Sequence, residues 1–243
     1  MISRTQSAAL CLAVGLSLGL SACGGGDAGS NATADKGAAT PAAGASAGSA
    51  TTTETASANV PTLAEGPDVC FRAIAKHLGA DVKVSEISSF FSSGSEIDSS
   101  DDEPQGQMTL CTVQYQNPSD PRKLLDTSLD VKTGTFSEPR PVEISVMGGD
   151  ASKFNLEDHL IPLSQVNAAA LKGVMDGEKP KLDGVYSRYA WSGVRLSSPD
   201  AFSNKHTLRL DVEGRLKSND IKEDGYASVS TDGKTVTKNF LLP

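Results

Sequence analysis

Between Gly24 and about Glu65 the chain is built from Gly, Ala, Ser, Thr and a few Pro, with almost no large apolar residue. Such a segment cannot bury enough surface to offset the entropy of ordering it, so it reads as a disordered tether. Any packed core is therefore confined to the stretch from about Pro67 to Pro243. That is one domain's worth of chain or two small ones, long enough to bury a proper core. Roughly 43 residues of flexible chain span about 35 Å r.m.s., a reach of a few nanometres. The tether includes Gly44-Ala45-Ser46-Ala47-Gly48, which fits the G-x-S-x-G pattern of hydrolase nucleophiles. That pattern needs a strand before it and a helix after it, and a low-complexity tract supplies neither.

Ahead of the tether, a short start carrying Arg4 leads into a run from Ala8 to Leu20 that is almost wholly apolar or small. A spanning helix needs ~20 apolar residues, so the run is too short to cross a bilayer comfortably. A charged start, a short apolar stretch and small residues before a cut site make a secretory signal peptide over residues 1–22. Leu20-Ser21-Ala22-Cys23 resembles the lipobox of bacterial lipoproteins: an apolar residue, two small ones, and the cysteine that becomes the lipidated first residue. The resemblance implies a lipid on Cys23 and attachment to a membrane. Each buried acyl CH₂ contributes ~0.8 kcal/mol, and several chains make attachment lasting. Gly24, where an Asp would imply retention at the inner membrane, is similar to cargo sorted to the outer membrane, with the domain facing the periplasm. An ordinary signal peptide with a cysteine at the cut is the alternative.

The four cysteines then divide. Cys11 leaves with the signal peptide and Cys23 takes the lipid. Cys70 and Cys111 remain in an exported, oxidising compartment where disulfides persist. They are expected to pair, closing a loop of about 42 residues and contributing up to about 4 kcal/mol on the chain-entropy model. A reactive or metal-binding pair is the rival reading, but no cysteine or histidine stands at ligand spacing beside either.

With 22 basic and 30 acidic residues the net charge is −8. A net negative chain without a basic patch argues against nucleic acid as a partner, because phosphate neutralisation dominates that binding.

The folded part is expected as two α+β units, 67–150 and 151–243, after the lipidated tether of 23–66. In the first, Pro67-Asp68 can open a helix whose Cys70, Phe71, Ile74 and Leu78 share a face, with Gly79 closing it. Strands follow around Val82–Ile87, Met108–Tyr115, Leu124–Val131 and Thr135–Met147, the last two joined at Lys132-Thr133-Gly134. Ser92–Gln107 is polar and acidic and reads as an exposed loop. In the second unit, Pro162-Leu163-Ser164 opens a helix with Val166, Ala170 and Val174 on one face. Strands follow at Tyr186–Arg195, Thr207–Val212, Arg215–Ile221, Tyr226–Ser230 and Thr235–Leu241, with turns at Glu213-Gly214 and Asp232-Gly233. Leu129-Asp130-Val131 and Leu210-Asp211-Val212 each precede a glycine turn, a local match that suggests duplication. The fold class is α+β: an antiparallel sheet with a packed helix, once or as a tandem repeat. In outline this is similar to tandem helix-on-sheet inhibitors of the β-lactamase-inhibitor type, an analogy of fold alone.

No phosphate loop, dinucleotide fingerprint or kinase signature is present, and no cofactor is expected. His77, His159 and His206 lack partners at the helical i, i+4 spacing of metal sites and read as surface or loop histidines. The acidic runs Asp98–Glu103 and Asp220–Gly225 lack the ligand spacing of a calcium loop, so no metal is expected. Tyr189 and Trp191 should face one side of their strand and Tyr186 the other. They are either core or, with Arg188 and Arg195 beside them, an exposed hot spot, since Trp, Tyr and Arg dominate binding energetics. The functional expectation is a non-enzymatic, envelope-tethered protein-binding module of the inhibitor or immunity type. Its partner would be an envelope protein or an incoming effector. A structural or assembly lipoprotein of the outer membrane and an envelope hydrolase are the alternatives.

Overall fold

The computed structural model describes residues 60–146, 151–200 and 203–243. Helix α1 spans Val69–Leu78, with Asp68 at its N-terminal boundary and Gly79 at its end. Asp68 does not cap through its side chain; its carboxylate is taken by Arg72 one turn on. Val69, Cys70, Phe71 and Ile74 are buried, each worth about 2 kcal/mol as an upper bound.

The strands are β1 (Lys83–Phe91), β2 (Met108–Gln116), β3 (Leu124–Asp130), β4 (Thr135–Phe136), β5 (Arg140–Val142), β6 (Ile161–Pro162), β7 (Tyr186–Ser197), β8 (Thr207–Leu216), β9 (Lys222–Val229) and β10 (Val236–Phe240). The stretch expected as one strand from Thr135 to Met147 is instead broken into β4 and β5, with Pro139 and Pro141 in and beside the break. Proline has no N–H to give a ladder, which keeps these pieces short and at the edge. The helix expected from Pro162 starts later. Short 3₁₀ turns over Leu163–Gln165 and Ala168–Ala170 lead into α2 (Leu171–Val185). Leu171, Val174 and Leu182 are its buried side chains.

Among the described residues all ten strands join one sheet in the order β10-β9-β8-β7-β1-β2-β3-β4, with β5 on β3 and β6 on β1. Every pairing is antiparallel. The fold is therefore α+β and dominated by its sheet. Strands β1 and β7 meet at the centre, with β2, β3 and β4 running outward from β1 and β8, β9 and β10 outward from β7.

Two adjacent cross-strand rows define the faces. Cys111, Ser89, Val194, Leu210 and Ala227 lie opposite one another in register, and all are buried. Cys111 is bonded to Cys70 of α1, with Cα atoms 5.7 Å apart. This row belongs to the core that also takes the buried faces of α1 and α2. The neighbouring row, Leu110, Phe90, Gly193, Asp211, Tyr226 and Phe240, points the other way, since side chains alternate across a sheet. Both helices cover one face and leave the other without a helical layer.

Glu213-Gly214, expected as a turn, lies inside the continuous strand β8. A Cβ on Gly214 would stand 2.5 Å from Cδ1 of Tyr186 and 2.9 Å from Cβ of Tyr189, so this glycine admits tyrosine rings, not a chain reversal. The Gly233 turn is as expected, with φ +73. It presses on the turn before α2, where Asn167 N donates to Thr231 O at 2.8 Å.

Candidate functional site

The residues expected to form one binding surface fall on two sides of β7. This strand carries irregularities between Tyr186 and Arg188 and between Trp191 and Gly193. A bulge inserts one residue and resets the alternation. The first brings Tyr186 onto the same side as Tyr189, with ring centroids 6.2 Å apart, where plain alternation places them on opposite faces. Buried Tyr186 donates its hydroxyl to Leu241 O at 3.1 Å. The second leaves Trp191 opposite Val212 on the helix side, and Arg195 opposite Arg209 on the bare side. Tyr189, Trp191, Arg188 and Arg195 thus do not make a single patch.

Tyr189, Trp191 and Arg188 line a cleft of about 590 Å³. It exists because β7 outruns its neighbour: β1 pairs with β7 only from Gly193 to Leu196, so the earlier half of β7 has no strand on that side. The segment Ser92–Gln107 fills part of the gap. Sequence reasoning made it an exposed loop, yet Ser92, Ser93 and Gly94 are buried and Ile97 is 2 % exposed. Cations from the sheet hold it. Arg188 Nε donates to Glu96 O and Arg215 Nε to Ile97 O, both at 2.7 Å. Lys222 Nζ lies 2.6 Å from Asp98 and 2.7 Å from Glu213. The Lys222 hydrogen bond holds the Asp98 carboxyl well below the usual carboxylate range. Partial burial opposes charge on Lys222, but its two carboxylate partners outweigh it and keep the ammonium above its ordinary value. Hydrogen bonds to the charged form explain both directions. The far wall is the end of α2. There Asp183 accepts from Tyr189 Oη at 3.1 Å and from Lys179 at 2.9 Å, and Lys217 reaches its main-chain oxygen.

On the bare face, Arg195 and Arg209 share Asp211. Arg195 donates from Nε and Nη2, each at 2.9 Å, and Arg209 from Nε at 2.7 Å. Arg209 sits 3.7 Å over the ring of Tyr226 and Arg195 5.5 Å over Phe90. Tyr226 in turn lies 5.2 Å from Phe240, and both ends of the row are open, with Phe240 55 % and Leu110 37 % exposed. Gly193 lets this stripe close: a Cβ there would lie 2.7 Å from Asp211 Oδ2 and 3.1 Å from Phe90. Sequence reasoning found Arg195 but missed its partners. Phe90, Arg209, Asp211, Tyr226 and Phe240 come from four strands, and only the register brings them together.

The histidines stand apart from both sites. His77 stacks on Phe136 with centroids 4.2 Å apart, and His159 stacks on Phe154 at 5.0 Å. His206 Nε2 lies 3.1 Å from His159 O, and burial pushes its pKa down. Among the described residues no cluster of three or more His, Cys, Asp and Glu could hold a metal ion, and no helix is long and apolar enough to cross a membrane. Cys23 and the lipobox lie outside the described residues.

No family model, no curated protein and no solved structure matches this chain.

Proposed function

We propose that the chain is an envelope lipoprotein, anchored through Cys23 and sorted to the outer membrane. Its folded part is a non-enzymatic protein-binding module of the inhibitor or immunity type. The observation that supports this reading is the bare face of the sheet. An antiparallel sheet with one face open normally shows polar side chains to water. Here the open face carries a row of arginine and aromatic side chains, Phe90, Arg195, Arg209, Tyr226 and Phe240, built on one shared carboxylate. These are the residue types enriched at the energetic centres of protein interfaces. The partner is an envelope protein or an effector arriving in the envelope.

We further read the two halves as copies of one helix-plus-meander unit. The strand order, symmetric about the β1–β7 seam, supports this. The Leu-Asp-Val match does not, because Leu129-Asp130 lies two strands out from that seam, on β3, and Leu210-Asp211 one strand out, on β8.

The test is affinity capture from envelope extract of the native organism, using the full chain in mild detergent. The wild type is set beside an Arg209→Ser, Tyr226→Ser double variant. The reading expects a protein retained by the wild type and lost by the variant. Equal recovery on both would refute the assignment of this face. For the anchor, Cys23→Ala is expected to move the protein to the soluble fraction, and continued membrane retention would exclude lipidation at that cysteine.

A further inference from the structure

We propose that the cleft beside the unpaired half of β7 is a saccharide site, in which a neutral pyranose packs on Trp191 and Tyr189. This goes beyond protein binding at the bare face and does not depend on it, because the two sites lie on different sides of β7.

The ring faces carry the inference first. Tyr189 and Trp191 are partly exposed, line the cleft, and lie on the same side of the strand. Among the described residues Trp191 stacks on no other ring, and Tyr189 meets only Tyr186, tilted with centroids 6.2 Å apart, so each partly exposed ring keeps area towards the cleft. A pyranose offers a flat C–H face that packs on such rings, and aromatic rings give large contact area. Hydrogen-bonding groups at the rim come second. Among the described residues the Trp191 indole N–H and the exposed Glu96 carboxylate have no hydrogen-bond or ionic partner. Gln105 spends one donor on Tyr189 O at 3.3 Å and keeps its carbonyl oxygen. Lys217 spends one proton on a main-chain carbonyl and keeps the others. The rim therefore offers donors and acceptors together, as sugar hydroxyls require, since each hydroxyl is both. Charge decides against an ionic ligand. The nearest strong charges are already matched, Lys179 by Asp183 and Arg188 by Asp220, which leaves Lys217 and Glu96 to balance one another.

Trp191 is the chain's only tryptophan, so its fluorescence reports this cleft alone. The full chain, held in a detergent without sugar headgroups, is titrated with cellohexaose, the N-acetylglucosamine hexamer and maltohexaose, up to about 5 mM each. Choline chloride and sodium acetate serve as cationic and anionic probes. The expected result is a saturable emission shift with at least one hexasaccharide, with a dissociation constant of about 1 mM or tighter, and none with the ions. No saturable shift with any of the three sugars, or a shift with an ion alone, overturns the proposal. Two variants followed by calorimetry locate the site. Trp191→Leu should weaken binding about tenfold or more, and Glu96→Gln, at an exposed and unpartnered position, should weaken it severalfold while leaving the fold intact. Wild-type affinity in a folded Trp191→Leu, or in Glu96→Gln, equally overturns it.

Discussion

Lys222 on β9 and Asp98 in the segment after β1 are 124 positions apart in the sequence, and their charged groups meet at 2.6 Å. With Glu213 also on the ammonium at 2.7 Å, this contact fixes an acidic arm against the sheet and shapes one wall of the cleft. Replacing Lys222 with Ala is expected to leave two carboxylates facing each other and to release Glu96–Asp101. The cost should be about 1–2 kcal/mol, because both partners keep some contact with water. Amide exchange should quicken in the arm well before the rest of the sheet. A uniform change along the chain would contradict a local latch. The sign with pH follows from the depressed Asp98 carboxyl: its stabilisation is present above the unfolded value of about 3.9 and fades as pH falls below it.

The bond between Cys70 and Cys111 joins α1 to the second strand across a sequence separation of 41. Mass mapping without reductant should find no free thiol at either position. The Cys70→Ala, Cys111→Ala double variant should lose about 2–4 kcal/mol, read by denaturant unfolding. A loss below about 0.5 kcal/mol would mean that α1 holds its place without the bond.

Helix α2 is a weak helix by composition. It contains Gly173, Gly177, Gly184 and Pro180, and a proline in a helix interior removes a hydrogen bond. A Cβ on Gly177 would meet nothing within 4 Å. Gly177→Ala should therefore stabilise by about 0.5–1 kcal/mol, seen as a rise of roughly 2–4 °C in Tm. A fall in Tm would show that the glycine serves a contact the free chain lacks.

His206 is partly buried against His159 O, and burial holds its pKa down. A depressed histidine binds protons more readily when unfolded. Its contribution is thus present above the unfolded value of about 6.5 and is lost as pH falls beneath it. Melting followed from pH 7 down to about pH 5 should show a decline that His206→Gln reduces. An unchanged decline in the variant would place the titration elsewhere.

Period and punctuation made much of the fold legible. The helical spacing of Cys70, Phe71, Ile74 and Leu78, closed by Gly79, marked α1, and the glycines at 134 and 233 marked true turns with positive φ. What failed was long-range. Gly214 looked like a turn because nothing nearby reveals that Tyr186, 28 positions earlier, needs its missing Cβ. The acidic run after β1 looked solvated because its cations, Arg188, Arg215 and Lys222, come from three strands of the other half. The Arg195 site was half visible for the same reason. An arginine near aromatics can be read from sequence, but which face it occupies depends on a bulge at Ser192 that shifts the alternation by one.

The most direct test of the binding account is site-specific photocrosslinking in living cells. A photoreactive residue replaces Ser228, which lies opposite Arg209 on the bare face, or Lys172, exposed on α2. The account predicts a discrete protein adduct from position 228 and none from 172. Adducts from α2 alone, or equal labelling from both positions, would contradict it.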